Sequence, residues 1–217
     1  MSKATYSFTI VQQMLRTARS SWIIWRELQK AIEGGNEYGP AVILSRDFFQ
    51  ALYHSQIHYV ILILSDTYPS SEKPSSKRHG KTHSLRYLIN QCTNEGKIDS
   101  QLEHVCFDAL DKAQPLRAKI GQVRGEHFGH KLNSKTEAMV FEQVQLHTKD
   151  IERLFTVAFF ILRKLAPCCN FNPALWRRLK PIIKEDTLKM MKAFKPSHYL
   201  RELLVDMRKK TGSPVNE

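Results

Sequence analysis

The residues best suited to chemistry lie between positions 120 and 132, in the stretch IGQVRGEHFGHKL. Arg124, Glu126, His127, His130 and Lys131 place five ionisable groups within eight residues. Gly121, Gly125 and Gly129 thin out the side chains around them. A glycine inside a helix costs about 1 kcal/mol relative to alanine, so this density predicts a strained turn or a close approach by another backbone. Arginine with histidine suits metal-independent cleavage of RNA. An imidazole titrates near neutrality and can take a hydroxyl proton or return one to a leaving group. A guanidinium holds phosphoryl oxygens and stabilises charge that builds on them. Residues six apart stand about 120° apart on an unbroken helix. Arg124 and His130 therefore meet only if the helix breaks or if two chains each supply a copy. The plainer reading is a helix end with a histidine near its C-terminal dipole.

The other candidates are weaker. His54 and His58 stand four apart and share a helix face. A metal needs more than two ligands, and the glutamate of an HExxH motif is missing. They read as histidines at a core edge or interface. His79 and His83 read as solvated loop residues, and His104, His147 and His198 have no ionisable cluster beside them. The four cysteines, at 92, 106, 168 and 169, form no zinc-ribbon spacing. No metal and no cofactor is expected.

These residues must be positioned by helices. Apolar residues recur at spacings of three and four, and no sustained alternation marks a strand. The expected fold class is all-α: a bundle with a basic C-terminal helical extension, in one domain over 1–217. A first helix is expected over 7–33, with Ile10, Met14, Ala18, Trp22, Trp25 and Leu28 as its apolar stripe and Gly34-Gly35 as its stop. Pro40 opens a second, over 41–68, apolar enough to be central. Residues 69–83, PSSEKPSSKRHGKTH, read as an exposed loop. Short helices follow over 84–94 and 99–123, the latter kinked or split at Pro115. The pattern is helical again over 136–165, ended by Pro167, and a last helical region is expected over 173–207, interrupted by Pro181 and Pro196.

The chain of 217 residues carries 33 Lys and Arg against 21 Asp and Glu, a net charge of +12. The excess is local. Residues 163–210 hold +9 and residues 69–98 hold +4, whereas residues 99–162, with the Arg and His, hold −1. Such a balance favours an anionic partner, nucleic acid or a membrane surface. Lys77, Arg78 and Lys81 in the loop, with Arg177, Arg178 and Lys180 in the last region, are the expected electrostatic contacts to RNA. The longest apolar run, 59–64, is far short of the roughly 20 residues that span a bilayer. No secretory leader is evident at the start. A cytoplasmic protein without stable membrane insertion is expected.

The segment Val123-Arg124-Gly125-Glu126-His127-Phe128-Gly129-His130 resembles the signature of the HEPN superfamily, all-α domains of prokaryotic defence and toxin–antitoxin systems. That signature is an Arg, four to six residues, then a His. A common local form, Arg-[Asn/Asp]-x-x-x-[Ala/Gly]-His, is met at Arg124, Gly129 and His130 and departed from at Gly125. The order of elements over 40–166, with Ser65-Asp66 ending an apolar helix before the loop, is similar to the abortive-infection AbiU-like branch. The resemblance implies four to six helices and a homodimer with two motifs facing one cleft. It also implies metal-independent endoribonuclease action by 2′-hydroxyl attack, and an antitoxin protein as a further partner. His130 would be the acid/base and Arg124 the phosphate-holding group. His127 and Lys131 would be helpers, and Asp66 would orient a motif residue.

Two rivals stand beside this expectation. One is a non-catalytic HEPN-like module that binds RNA or a protein, favoured by Gly125. The other is a membrane-surface protein using the basic amphipathic helices of residues 168–210.

Overall fold

The computed structural model describes residues 1–33, 46–68, 83–128, 137–171 and 179–193. Among them the chain is all-α. Its helices are α1 (Lys3–Ile32), α2 (Arg46–Thr67), α3 (Leu85–Asn94), α4 (Ser100–Lys112), α5 (Gln114–Phe128), α6 (Glu137–Val144), α7 (Thr148–Leu165) and α8 (Leu179–Ala193). A 3-10 turn, Pro167–Cys169, follows α7. The chain divides into two compact units. The first holds residues 1–22 and 57–179, and the second holds residues 23–56 and 180–217.

In the first unit α7 is the central element, packed against α3, α4 and α5. Its sequence explains this. Ile151, Leu154, Phe155, Ala158, Ile161, Leu162 and Leu165 recur at helical spacing, and all are buried. Burying each large apolar side chain stabilises the fold by roughly 1.5–3 kcal/mol. The buried line of α1 in this unit is Ala4, Phe8, Val11, Leu15, Ala18 and Trp22. Of the expected stripe, Ala18, Trp22, Trp25 and Leu28 are buried, whereas Ile10 and Met14 are only half-buried. Glu152 of α7 ties α1 down twice. It accepts from the Trp22 indole Nε1 at 2.5 Å and from Arg19 NH1 at 2.5 Å.

Helix ends follow local chemistry. Ser84 caps α3, its Oγ accepting from Tyr87 N–H. Gly96, at φ +63°, closes the same helix as Lys97 N–H donates back to Cys92 O. Asp99 caps α4 through Leu102 N–H at 2.7 Å. The helical stretch expected to be kinked or split at Pro115 divides just before it, at Ala113. Pro115 becomes the second residue of α5, where the lost donor has no helical partner to miss.

Three expectations change. The helical stretch expected over 136–165 is, from Glu137 onward, two helices, because Gln145 takes the left-handed φ of +54°. There Leu146 N–H donates to Phe141 O at 2.9 Å, and Asp150 reaches back to accept from His147 N–H at 3.1 Å. Pro181 does not interrupt the last helix, since it lies in the first turn of α8. His83, expected in the open loop, is half-buried, its ring 5.5 Å from that of Tyr6 and 5.9 Å from that of Tyr87. The rest of the expected loop, 69–82, lies outside the described residues.

In the second unit Leu28, Ala31, Phe49 and Met191 form a buried cluster edged by Ile24, Leu52, Tyr53, Leu188 and Met190. The apolar side of α8 is therefore used for packing within its own unit, while Ile182 is exposed. None of the described helices is long and apolar enough to cross a membrane.

Candidate functional site

Arg124 stands on α5 immediately after Val123, which is buried, and one turn after Ile120, also buried. Those two side chains fix the rotation of α5 against the first unit. Lys119 fixes it further, donating to Gln145 O at 2.7 Å and to the Asp150 carboxylate at 3.3 Å. The Asp150 carboxyl is held below its ordinary value. Burial alone would raise it, but the His147 N–H and the Lys119 ammonium outweigh that cost.

Asp66 is placed by the end of α2. Ile57, Val60, Ile61 and Leu64 are buried on the preceding turns. Tyr68 pins the helix end, donating from its hydroxyl to Leu154 O of α7 at 2.6 Å. With both helices anchored to α7, Arg124 NH1 donates to Asp66 Oδ1 at 2.6 Å and to Ser65 Oγ at 3.0 Å. Fifty-eight residues separate Arg124 from Asp66 in the chain. The two side chains are 37% and 40% exposed. Among the described residues only NH1 is used in this way. The Arg124 side chain as a whole is more than a third exposed.

This is a half-open ion pair, and its chemistry is specific. A carboxylate on one edge of a guanidinium fixes its plane, and the opposite edge can then offer two parallel donors to a phosphate. The paired carboxylate also offsets part of the charge, so the pair positions more than it attracts. Ser65 is not among the site residues expected from sequence, although its place beside Asp66 on the same helical turn is a usable signal.

The remaining expected site residues divide by what is described. His127 belongs to α5, but its side chain is outside the described residues, as are His130 and Lys131. Of the electrostatic set, Lys77, Arg78, Lys81, Arg177 and Arg178 lie outside the described residues. Lys180 belongs to α8, with its side chain not described. Gly121 and Gly125 are neither strained nor crowded. Both are helical, and a methyl group on either would meet nothing within 4 Å. The expected strained turn is therefore absent at those two positions, and Gly129 lies outside the described residues.

His54 and His58 are half-buried on α2. Among the described residues no three His, Cys, Asp or Glu converge as a metal site. The cysteines are free thiols, and a hydrogen bond joins Cys92 with Cys169. That bond pushes Cys92 up and pulls Cys169 down.

Two concavities lie away from Arg124. One, of about 480 Å³, is lined by Tyr6, Ser7, His83 and Tyr87 among others. The other, of about 530 Å³, lies at the Gln145 turn. Arg124 lines neither of these concavities. No family model, curated protein or solved structure matches the chain.

Proposed function

We propose that the chain is a metal-independent endoribonuclease of a prokaryotic toxin–antitoxin or abortive-infection system. The observation that carries this reading is the Arg124 guanidinium, held at NH1 by Asp66 and Ser65 while its side chain stays more than a third exposed. It is the arrangement that a phosphate-holding group needs, and His130 follows six residues later in the HEPN-like motif.

In this reading the phosphate next to the scissile bond lies against the open edge of Arg124. A base removes the proton of the 2′-hydroxyl, and its oxygen forms a bond to phosphorus. The bond to the 5′-oxygen breaks, and an acid returns a proton to that leaving oxygen. Charge grows on the non-bridging oxygens as the new bond forms, and Arg124 stabilises it there. His130 supplies the acid/base group, with His127 and Lys131 as helpers. Asp66 acts through Arg124 and is a positioning residue. A second chain, as the HEPN resemblance implies, would bring a second copy of the motif to the same strand. An antitoxin would act by covering or displacing that cleft.

The test is RNA cleavage by purified protein in excess EDTA. Cleavage is expected for the wild type and is expected to be lost in His130→Ala and Arg124→Ala with the helical circular-dichroism signal intact. Full cleavage by folded His130→Ala protein would overturn the assignment.

A second reading is favoured by Gly125, where the HEPN signature often has a polar residue. In it the chain is a non-catalytic module that binds RNA or a protein. That reading expects salt-dependent binding with no product and indifference to both substitutions.

A further inference from the structure

Arg117 stands seven residues before Arg124 on α5. Seven residues are close to two turns, so the two arginines share one face, about 10 Å apart along the axis. Arg117 is half-buried, yet its guanidinium has no hydrogen bond or ion pair among the described residues. The charges that act on it are those of Arg86 of α3 and Asp111 of α4. Burial first, and then the Arg86 guanidinium, hold Arg117 below its ordinary pKa. Arg86 is itself fixed over the Phe107 ring at 5.1 Å, and its NH2 lies 3.7 Å from Asp111. Asp111 is 70% exposed and gives Arg117 weak relief. A half-buried guanidinium held by packing beside a like charge, with one exposed carboxylate near it, is poised to take an anion.

Among the described residues nothing covers the face between Arg117 and Arg124 at Gly121. Gly121 lies there, exposed, and a Cβ on it would touch nothing within 4 Å. An elongated ligand can therefore lie against the helix backbone from one arginine to the other.

We propose that Arg117 and Arg86 form a second phosphate subsite of a single-stranded RNA track, which runs over Gly121 to the phosphate held at Arg124. The subsite rests on the endoribonuclease reading for its ligand and deepens it by giving the strand its path. It binds and does not catalyse. Asp66 and Asp111 limit the net charge of the track, so its recognition comes from guanidinium geometry more than from bulk potential.

The experiment is fluorescence anisotropy of a labelled single-stranded RNA with the full chain in EDTA, over a range of salt, using the His130→Ala protein to prevent cleavage. Each phosphate that a single strand no longer pairs with a cation reduces the slope of log affinity against log salt by about 0.7. Arg86→Gln with Arg117→Gln, which leaves that phosphate without a cation, is expected to reduce the slope by about 0.7, and Arg117→Gln alone by a measurable part of that. Gly121→Gln removes no charge and places a good helix former at an exposed position. It is expected to weaken binding about threefold or more without lowering the thermal midpoint. That variant keeps the test meaningful if Arg117→Gln is poorly folded.

Unchanged affinity and slope in Arg117→Gln and in Gly121→Gln would overturn the track. Wild-type RNA cleavage abolished by His130→Ala would leave the endoribonuclease reading standing in that case. A slope reduced by Arg117→Gln in a protein that never cleaves RNA would keep the subsite and remove the nuclease. Loss of binding to anionic phospholipid vesicles, with RNA binding untouched, would assign the arginines to a lipid headgroup and overturn the proposal. No RNA binding by any variant at low salt would overturn both.

Discussion

Asp66→Asn separates positioning from stability at the Arg124 site. The substitution keeps the shape of the side chain and removes its charge. The pair is short, at 2.6 Å, but both side chains are more than a third exposed. Exposed ion pairs of this kind contribute about 0.2–1 kcal/mol. In a chain of this length 1 kcal/mol moves the thermal midpoint by about 2–4 °C. The fold should therefore lose no more than about 4 °C. The effect on cleavage should be far larger. An asparagine oxygen accepts weakly and lets the guanidinium turn, and a 1 Å misplacement of a positioned group costs about a hundredfold. A loss of about tenfold to a hundredfold in the rate of RNA cleavage is expected, on the order set by that misplacement. Ser65→Ala should lose less, since it removes a neutral acceptor.

The assay is a cycle of Asp66→Asn, Arg124→Lys and the double variant, with cleavage rates and thermal midpoints measured together. Arg124→Lys keeps the charge but loses the fork that uses two edges at once. If Asp66 acts only through Arg124, the double variant is no slower than Arg124→Lys, because groups acting as a unit are strongly non-additive. Any of three results would refute the positioning role. The first is cleavage by Asp66→Asn at the wild-type rate. The second is a double variant in which the two single losses multiply. The third is a midpoint lowered by more than about 10 °C, far beyond what an exposed pair contributes.

Three further outcomes are expected. Gly125→Ala should stabilise the fold by roughly 0.5–1 kcal/mol in denaturant unfolding, because the position is helical, exposed and open; a loss would mean that its backbone is tightly packed. Glu152→Ala should cost about 1–3 kcal/mol, because it removes the carboxylate acceptor of the buried Trp22 indole N–H. Trp22→Phe in the same background should then cost less than it does in the wild type, and equal costs would count against the bond. For Asp150, a folded pKa below its free value of 3.8 makes its contribution full above that value and lost as pH falls through the folded pKa. Asp150→Asn should therefore be destabilised at neutral pH, with the gap to wild type closing as pH falls below 3.8 and through the folded pKa; a gap independent of pH would be inconsistent with that linkage.

Read alone, the sequence establishes an all-α fold and the points where most helices stop. Those signals are local: apolar spacing, Ser84 and Asp99 as caps, Gly96 after α3, Pro115 at a break. Residue type and order also mark Arg124 and Asp66. Packing settles what local signals leave degenerate. On α1, Ile10 with Met14 and Val11 with Leu15 are rival apolar lines about 100° apart, and only burial against the other helices selects Val11 and Leu15 for the core. The break at Gln145 is hidden in sequence because a left-handed position usually carries Gly or Asn. Here Lys119 and Asp150, from either side in the chain, help to hold the turn. The Asp66–Arg124 pair spans fifty-eight residues, and the approach of Arg86 to Arg117 joins separate helices. Charge counted along the chain misses both, because segment totals assign Arg86 to one stretch and Arg117 to another. Pairing between distant segments is set by how helices bury their apolar faces together, and that is a property of the packed core, not of any one stretch of residues.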